Sequence, residues 1–242
     1  MQFPFRRPAG AFLGLALLAA PAAATAAPPP LAASDAWLDS TSARWTEVSA
    51  KIWSFSETAL QETKSAALLA DVLEKEGFTV TRGVAGMPTA FVASAGSGAP
   101  AVGILAEYDA LPGLSQVAGE SKKTPLVAGA PGHGCGHNLL GTAAVAAAVA
   151  ANRERIAAKL PGTIRVFGTP AEEQLLGKPF MLRDGVFAGT DVVLAWHPAD
   201  ANYVCTKPYL AITAVDVEFF GKTAHAAMNP WLGRSALDAV EL

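Results

Sequence analysis

The run Ala101-Val102-Gly103-Ile104-Leu105-Ala106 carries no polar side chain and stops abruptly at Glu107-Tyr108-Asp109. Six apolar residues closed by two acids read as a strand buried on both faces, with chemistry waiting at its carboxyl end. Two further segments repeat the pattern. Thr163-Ile164-Arg165-Val166-Phe167-Gly168 ends in Thr169-Pro170-Ala171-Glu172-Glu173, and Asp191-Val192-Val193-Leu194-Ala195-Trp196 ends in His197-Pro198. An Ala-rich helix over 139–151 separates the first two, and a short helix around 179–184 separates the last two. Strands alternating with helices predict an α/β fold with a mostly parallel sheet flanked by helices. Ligands of such sheets collect beyond the carboxyl ends of the strands, which is where the acids and His197 fall.

Upstream, Trp37, Thr41, Trp45, Val48, Ile52 and Phe55 recur at three- and four-residue steps and predict an amphipathic helix. A second helix is expected from Lys64 to Glu76, stopped by Gly77, followed by short strands over 78–82 and 89–94. Downstream of Pro208 the pattern changes: Thr213, Val215, Val217 and Phe219 alternate with Ala214, Asp216 and Glu218. That period predicts a half-exposed antiparallel strand opening a second domain. Gly233-Arg234-Ser235 then opens a helix.

The N-terminus is of another kind. Arg6-Arg7, an apolar stretch over 9–20 and a small-residue exit through Ala27 read as a cleaved secretory signal over 1–27. Residues 28–34 read as a disordered mature N-terminus, and the protein as exported, in the periplasm. No apolar run in the body approaches the roughly 18 residues of a membrane span, so no membrane contact is expected after signal cleavage. With 18 basic against 21 acidic residues the net charge is −3, and no basic patch favours a nucleic acid partner. Export would allow Cys135 and Cys205 to oxidise. Their settings argue against pairing, and Cys205 reads as a buried structural thiol.

The densest chemistry is Gly132-His133-Gly134-Cys135-Gly136-His137. Thiolate and imidazole are favoured donors for zinc and similar ions, and the glycines let alternate side chains converge on one point. Glu172-Glu173 is costly to assemble unless a cation neutralises one carboxylate, which leaves the other free as a general base. Cys135, His137, Glu173 and His197 are thus the strongest metal-donor candidates. A thiol enzyme with Cys135 as nucleophile is the rival reading, although it gives the carboxylate pair no task.

Glu107-Tyr108-Asp109-Ala110-Leu111-Pro112, the Gly132–His137 run, Pro170-Ala171-Glu172-Glu173 and Gly221-Lys222-Thr223-Ala224-His225 together resemble the carboxypeptidase/aminoacylase clan of two-metal amidohydrolases. The branch most similar is that of the bacterial aminobenzoyl-glutamate hydrolases, in their B-type subunit. The resemblance covers roughly residues 37–242. It implies a zinc-exopeptidase-like catalytic domain over 35–208 and the start of an α+β lid and dimerisation domain over 209–242. It implies two divalent ions, Zn2+ or Mn2+, with Cys135, His137, Glu173 and His197 as ligands. Glu172 matches the general base and His225 a lid histidine that steadies the oxyanion. Asp109, His133 and Glu107 match the rim of the site, where Glu107 stands in place of a histidine common in the clan. The implied reaction is cleavage of an N-acyl or aminobenzoyl amino acid, a small-molecule amide, by a homo- or hetero-dimer. The resemblance also implies a closing histidine ligand beyond Leu242, so the chain reads as truncated, either a piece of an enzyme or an inactive remnant.

Overall fold

The computed structural model describes residues 32–201, 203–205, 213 and 215–242. The expected leader over 1–27, and the boundary expected at 208/209, lie outside them. The chain forms two compact units that divide between Pro198 and Ala199.

The first unit opens with α1 (Ala32–Ser40) and α2 (Ser42–Phe55), where one continuous helix was expected. Thr41 separates them. Its hydroxyl donates to the Trp37 carbonyl and accepts from the Trp45 indole N–H, so the side chain competes with the backbone ladder at the junction. Residues 32–34, part of the segment expected to be disordered, are helical, and the Ser34 hydroxyl donates to Glu154 at 2.8 Å. Helix α3 (Thr63–Lys75) follows as predicted, and the chain leaves it through Gly77 at φ 85°.

The remaining elements are β1 (Thr79–Arg82), β2 (Phe91–Ser97), β3 (Ala101–Ala106), α4 (His137–Ala157), β4 (Gly162–Gly168), α5 (Gly177–Arg183) and β5 (Val192–Leu194). The five strands make one sheet in the order β1-β2-β4-β3-β5. Its centre is parallel, β3 lying between β4 and β5 with all three running one way. Its other half is antiparallel, with β2 opposing both β4 and β1. The expected mostly parallel sheet is therefore mixed, because β1 and β2 form a hairpin whose second strand docks against β4 in reverse, Phe91 opposite Gly168.

Both faces are covered at β3 and β4, which explains their apolar runs, whereas Val192, Val193 and Leu194 of β5, expected to be buried likewise, are exposed because β5 is the edge strand. Ile52, Leu69, Leu73, Val145 and Val149 of the helical layer pack with Ala93 and Val166 on one face. Phe167, next in sequence and so on the opposite face, packs with Met181 of α5 and with Met87 and Ala90. Among the described residues no helix is long and apolar enough to cross a membrane.

Residues 199–242 are different. The alternating segment 215–220 forms no strand, because no described strand lies alongside to exchange hydrogen bonds with it. One isolated antiparallel bridge joins Lys222 to Arg234, and the expected helix α6 (Ala236–Glu241) is capped by the Ser235 hydroxyl. Cys205 is exposed rather than buried, since residues 203–205 join no sheet that would cover it.

Candidate metal centre

The parallel centre of the sheet brings three chain exits to one rim. β3 delivers Glu107 and Asp109, β4 delivers Glu172 and Glu173, and the segment after β5 delivers His197. Opposite them the chain enters α4 through Cys135-Gly136-His137. Gly136 sits at φ 86°, a left-handed conformation that a glycine adopts without strain, and it turns Cys135 and His137 toward the same space.

His137 is fully buried. Its Nδ1 lies 3.0 Å from Asp109 Oδ1 and 3.1 Å from the Asp109 carbonyl, two acceptors that place a proton on this nitrogen. The opposite nitrogen, Nε2, then presents a lone pair to carboxylate oxygens: Glu107 at 3.1 Å, Glu173 at 3.7 Å and Glu172 at 3.8 Å. None of these contacts has hydrogen-bond geometry, and both His137 Nε2 and Glu173 Oε1 are buried without a hydrogen-bond partner. Electron pairs facing one another in a buried space require a positive charge between them. Either a proton or a metal ion meets that requirement.

The protonation chemistry agrees. Burial pulls the His137 imidazole down, but Asp109, Glu107 and Glu173 outweigh it and hold the ring above its ordinary value. Burial, followed by the charges of Glu173, Glu172 and Glu107, pushes the Cys135 thiol up to about 12. Burial raises Asp109, yet its bonds to His137 and to the Glu173 N–H win and leave it below its ordinary value. Burial and the Glu107 charge raise Glu172. The centre is a carboxylate-rich pocket whose donors suit a metal ion: a thiol, two imidazoles and several carboxylates.

Cys135 Sγ lies 3.1 Å from His197 Nε2, and the ligand atoms of Cys135, His137 and His197 fall within 4.8 Å of one another. Those of Glu107, His137 and Glu172 do the same, so His137 is common to both groups. Glu173 adjoins His137, and its backbone N–H donates to Asp109 Oδ2 at 2.9 Å. His133 stands aside from the cluster. Its Nε2 lies 3.1 Å from the Ile52 carbonyl, and burial followed by the His137 charge lowers it to about 4, a neutral ring that braces α2. His225 lies in the other compact unit, exposed, with its Nδ1 accepting the backbone N–H groups of Ala227 and Met228.

Two participants escaped the sequence reading. The first is Lys178 of α5, which grips one oxygen of Glu107 at 2.6 Å, while the other oxygen of that carboxylate, expected at the rim, lies directly against His137. Nothing around Gly177-Lys178-Pro179 marks that lysine in the sequence. The second is Glu62, fully buried behind the carboxylates.

Residues 103–241 match peptidase family M20/M25/M40. The chain is 49% identical over 199 residues to the B-type subunit of p-aminobenzoyl-glutamate hydrolase of Escherichia coli, covering 82% of this chain and 41% of that protein. It is 38% identical over 217 residues to the Xaa-Arg dipeptidase of Mus musculus, covering 85% and 46%. The chain thus spans less than half the length of either relative. Among solved structures, the YXEP protein of Bacillus subtilis, described as a dinuclear metal binding peptidase from the M20 family, superposes with a TM-score of 0.58 at 24% identity. That match covers 66% of this chain and 44% of the other.

Proposed function

The chain belongs to peptidase family M20/M25/M40, and from that premise we propose that its centre hydrolyses the amide bond of an N-acyl or aminobenzoyl amino acid, aminobenzoyl-glutamate first among them. The observation that carries the reading is the buried Nε2 lone pair of His137 aimed at three carboxylates without a hydrogen bond. The substrate class follows the name of the relative that is 49% identical.

Cys135, His137, Glu173 and His197 would hold the metal, with Asp109 orienting His137 through Nδ1 and Glu107 fixed by Lys178 beside it. Two donor groups adjoin at His137, Cys135 with His197 on one side and Glu107 with Glu172 on the other, and the mixed donor set would accept zinc or manganese. Bound there, such ions lower the pKa of water and polarise the scissile carbonyl. Glu172, its carboxyl raised above the ordinary value by burial and the Glu107 charge, takes the proton of the attacking water and delivers it to the leaving amine. Glu173, anchored through its backbone to Asp109, would hold the metal while its neighbour moves protons. His225, in a lid and dimerisation domain over 209–242, would steady the developing oxyanion in a neighbouring subunit's site, and residues 35–208 would form the catalytic domain. A second subunit, identical or of the A type, completes the assembly. The leader over 1–27 directs the protein to the periplasm.

The 3.1 Å approach of Cys135 to His197 favours the thiol-enzyme reading. Burial and the surrounding carboxylates oppose it, because together they push the thiol up to about 12 where a nucleophilic cysteine needs a depressed value. Activity that survives exhaustive chelation would establish the thiol route. For the metal route, Glu172→Ala should lower turnover by about 10²- to 10⁴-fold and leave the bound metal in place. Loss of metal together with activity would remove Glu172 from the role of base.

A further inference from the structure

We infer that Glu62 is a positioning residue that fixes the turn carrying Glu172 and Glu173. The inference rests on the reading of the centre given above. Glu62 precedes α3, yet its carboxylate makes no capping bond to that helix. The first turn of α3 is served instead by Glu57, whose carboxylate accepts from the N–H groups of Lys64 and Ser65. The Glu62 carboxylate turns inward, where it is fully buried. One oxygen accepts the Ala171 backbone N–H at 2.8 Å and the other accepts the Thr89 hydroxyl at 2.9 Å.

Ala171 is the residue that needs such a partner. It is fully buried at φ 60°, a left-handed conformation that a side chain with a Cβ rarely adopts. Leu176, at the far end of the same turn, is left-handed too, at φ 53°. Between these two strained residues lie Glu172 and Glu173. Such strain persists only where the surroundings over-determine it, and here the fixtures are visible. Glu62 holds the turn at its start, and Asp109 Oδ2 holds the Glu173 N–H. Gly177 packs so closely that a Cβ there would overlap the Pro170 carbonyl oxygen. Tyr108, between Glu107 and Asp109, donates at 2.6 Å to the Thr89 carbonyl, so one buried network registers both carboxylate pairs. A carboxylate acceptor on a buried N–H is a strong bond. Without it, Ala171 has every reason to relax out of the left-handed region and swing Glu172 and Glu173 away from His137.

The test is Co2+ binding to the full chain, read by the thiolate charge-transfer absorption that reports Cys135 on the metal. Glu62→Met removes the acceptor at similar volume and should weaken Co2+ about 10- to 100-fold, the usual effect of losing a partner that orients a ligand. Glu62→Gln keeps an acceptor oxygen for Ala171 and should bind Co2+ as the unaltered protein does. Thr89→Val strips the other oxygen of the same carboxylate and should lower the melting temperature without weakening Co2+. Should Glu62→Met not fold, Glu62→Asp retains the charge but withdraws it by one methylene, and the same loss is expected. Unchanged Co2+ affinity in the folded Met or Asp variant overturns the assignment. So does a loss in Thr89→Val that matches theirs, which would make the role one of general stability. An unaltered protein that takes up no Co2+ overturns the metal centre itself, and this inference with it.

Discussion

Residues 32–198 and residues 199–242 carry equally recognisable motifs, yet they use their apolar side chains in opposite ways. In β4 of the first region the alternation of apolar residues is consumed by packing: Val166 turns to the helical layer and Phe167 to α5, both fully buried. In the second, Val215, Val217 and Phe220 stay 76%, 66% and 75% exposed. A strand pattern becomes a strand only when a neighbour takes its hydrogen bonds, and among the described residues of 199–242 no ladder forms. The chemistry follows the same division. Cys135, His137 and Glu173 are held by contacts to other elements, whereas His225 bonds within its own turn.

The contrast can be broken by mutation, and the largest effect is expected in the packed layer. Leu73, inaccessible in α3, should cost about 2–5 kcal/mol on change to alanine in chemical denaturation. A value near zero would show that the helical layer tolerates a cavity and that the two regions differ less than their burial suggests. Gly177→Ala comes next. Its Cβ meets backbone rather than a yielding side chain, so a loss of about 1–3 kcal/mol is expected, read from the shift of the urea midpoint at unchanged slope.

A smaller, pH-dependent effect should appear at Glu62. Burial raises its carboxyl above the ordinary value, against the bonds from Ala171 and Thr89, and the Asp109 charge adds to the rise. A raised folded-state value means that the folded chain binds the proton more tightly than the unfolded one. The associated stability is therefore complete below the unfolded value and declines as the pH climbs through the folded one. Glu62→Gln abolishes that dependence. Its melting temperature relative to the unaltered protein should rise as pH is taken from acid toward neutrality, and a difference that stays flat would show that Glu62 titrates normally. The least effect is expected at Val217→Ala, within about 0.5 kcal/mol, since the side chain is mostly solvated. A loss comparable to that of Leu73→Ala would reveal a packing partner for the 215–220 segment.

Much of the site was legible because its residues stand at the ends of apolar runs. Glu107 and Asp109 close β3, Glu172 and Glu173 follow β4, and His197 follows β5. Parallel pairing of those three strands then places them on one edge. The direction of β2 was not legible. It depends on pairing Phe91 with Gly168 across most of the unit, and the alternation within 91–97 is compatible with either orientation. Thr41 was read as one more position on a helical face, when its hydroxyl bonds in fact divide α1 from α2.

The sequence by itself determined the donor types and most elements of residues 32–198, because periodicity, glycine placement and the chemistry of thiol, imidazole and carboxylate are local properties. Only the tertiary structure decided which donors face one another. Lys178 reaches Glu107 across 71 residues, and Glu62 reaches the Ala171 N–H across 109. Such contacts leave no periodic trace, since a single buried hydrogen bond fixes one atom and imposes nothing on the residues beside it.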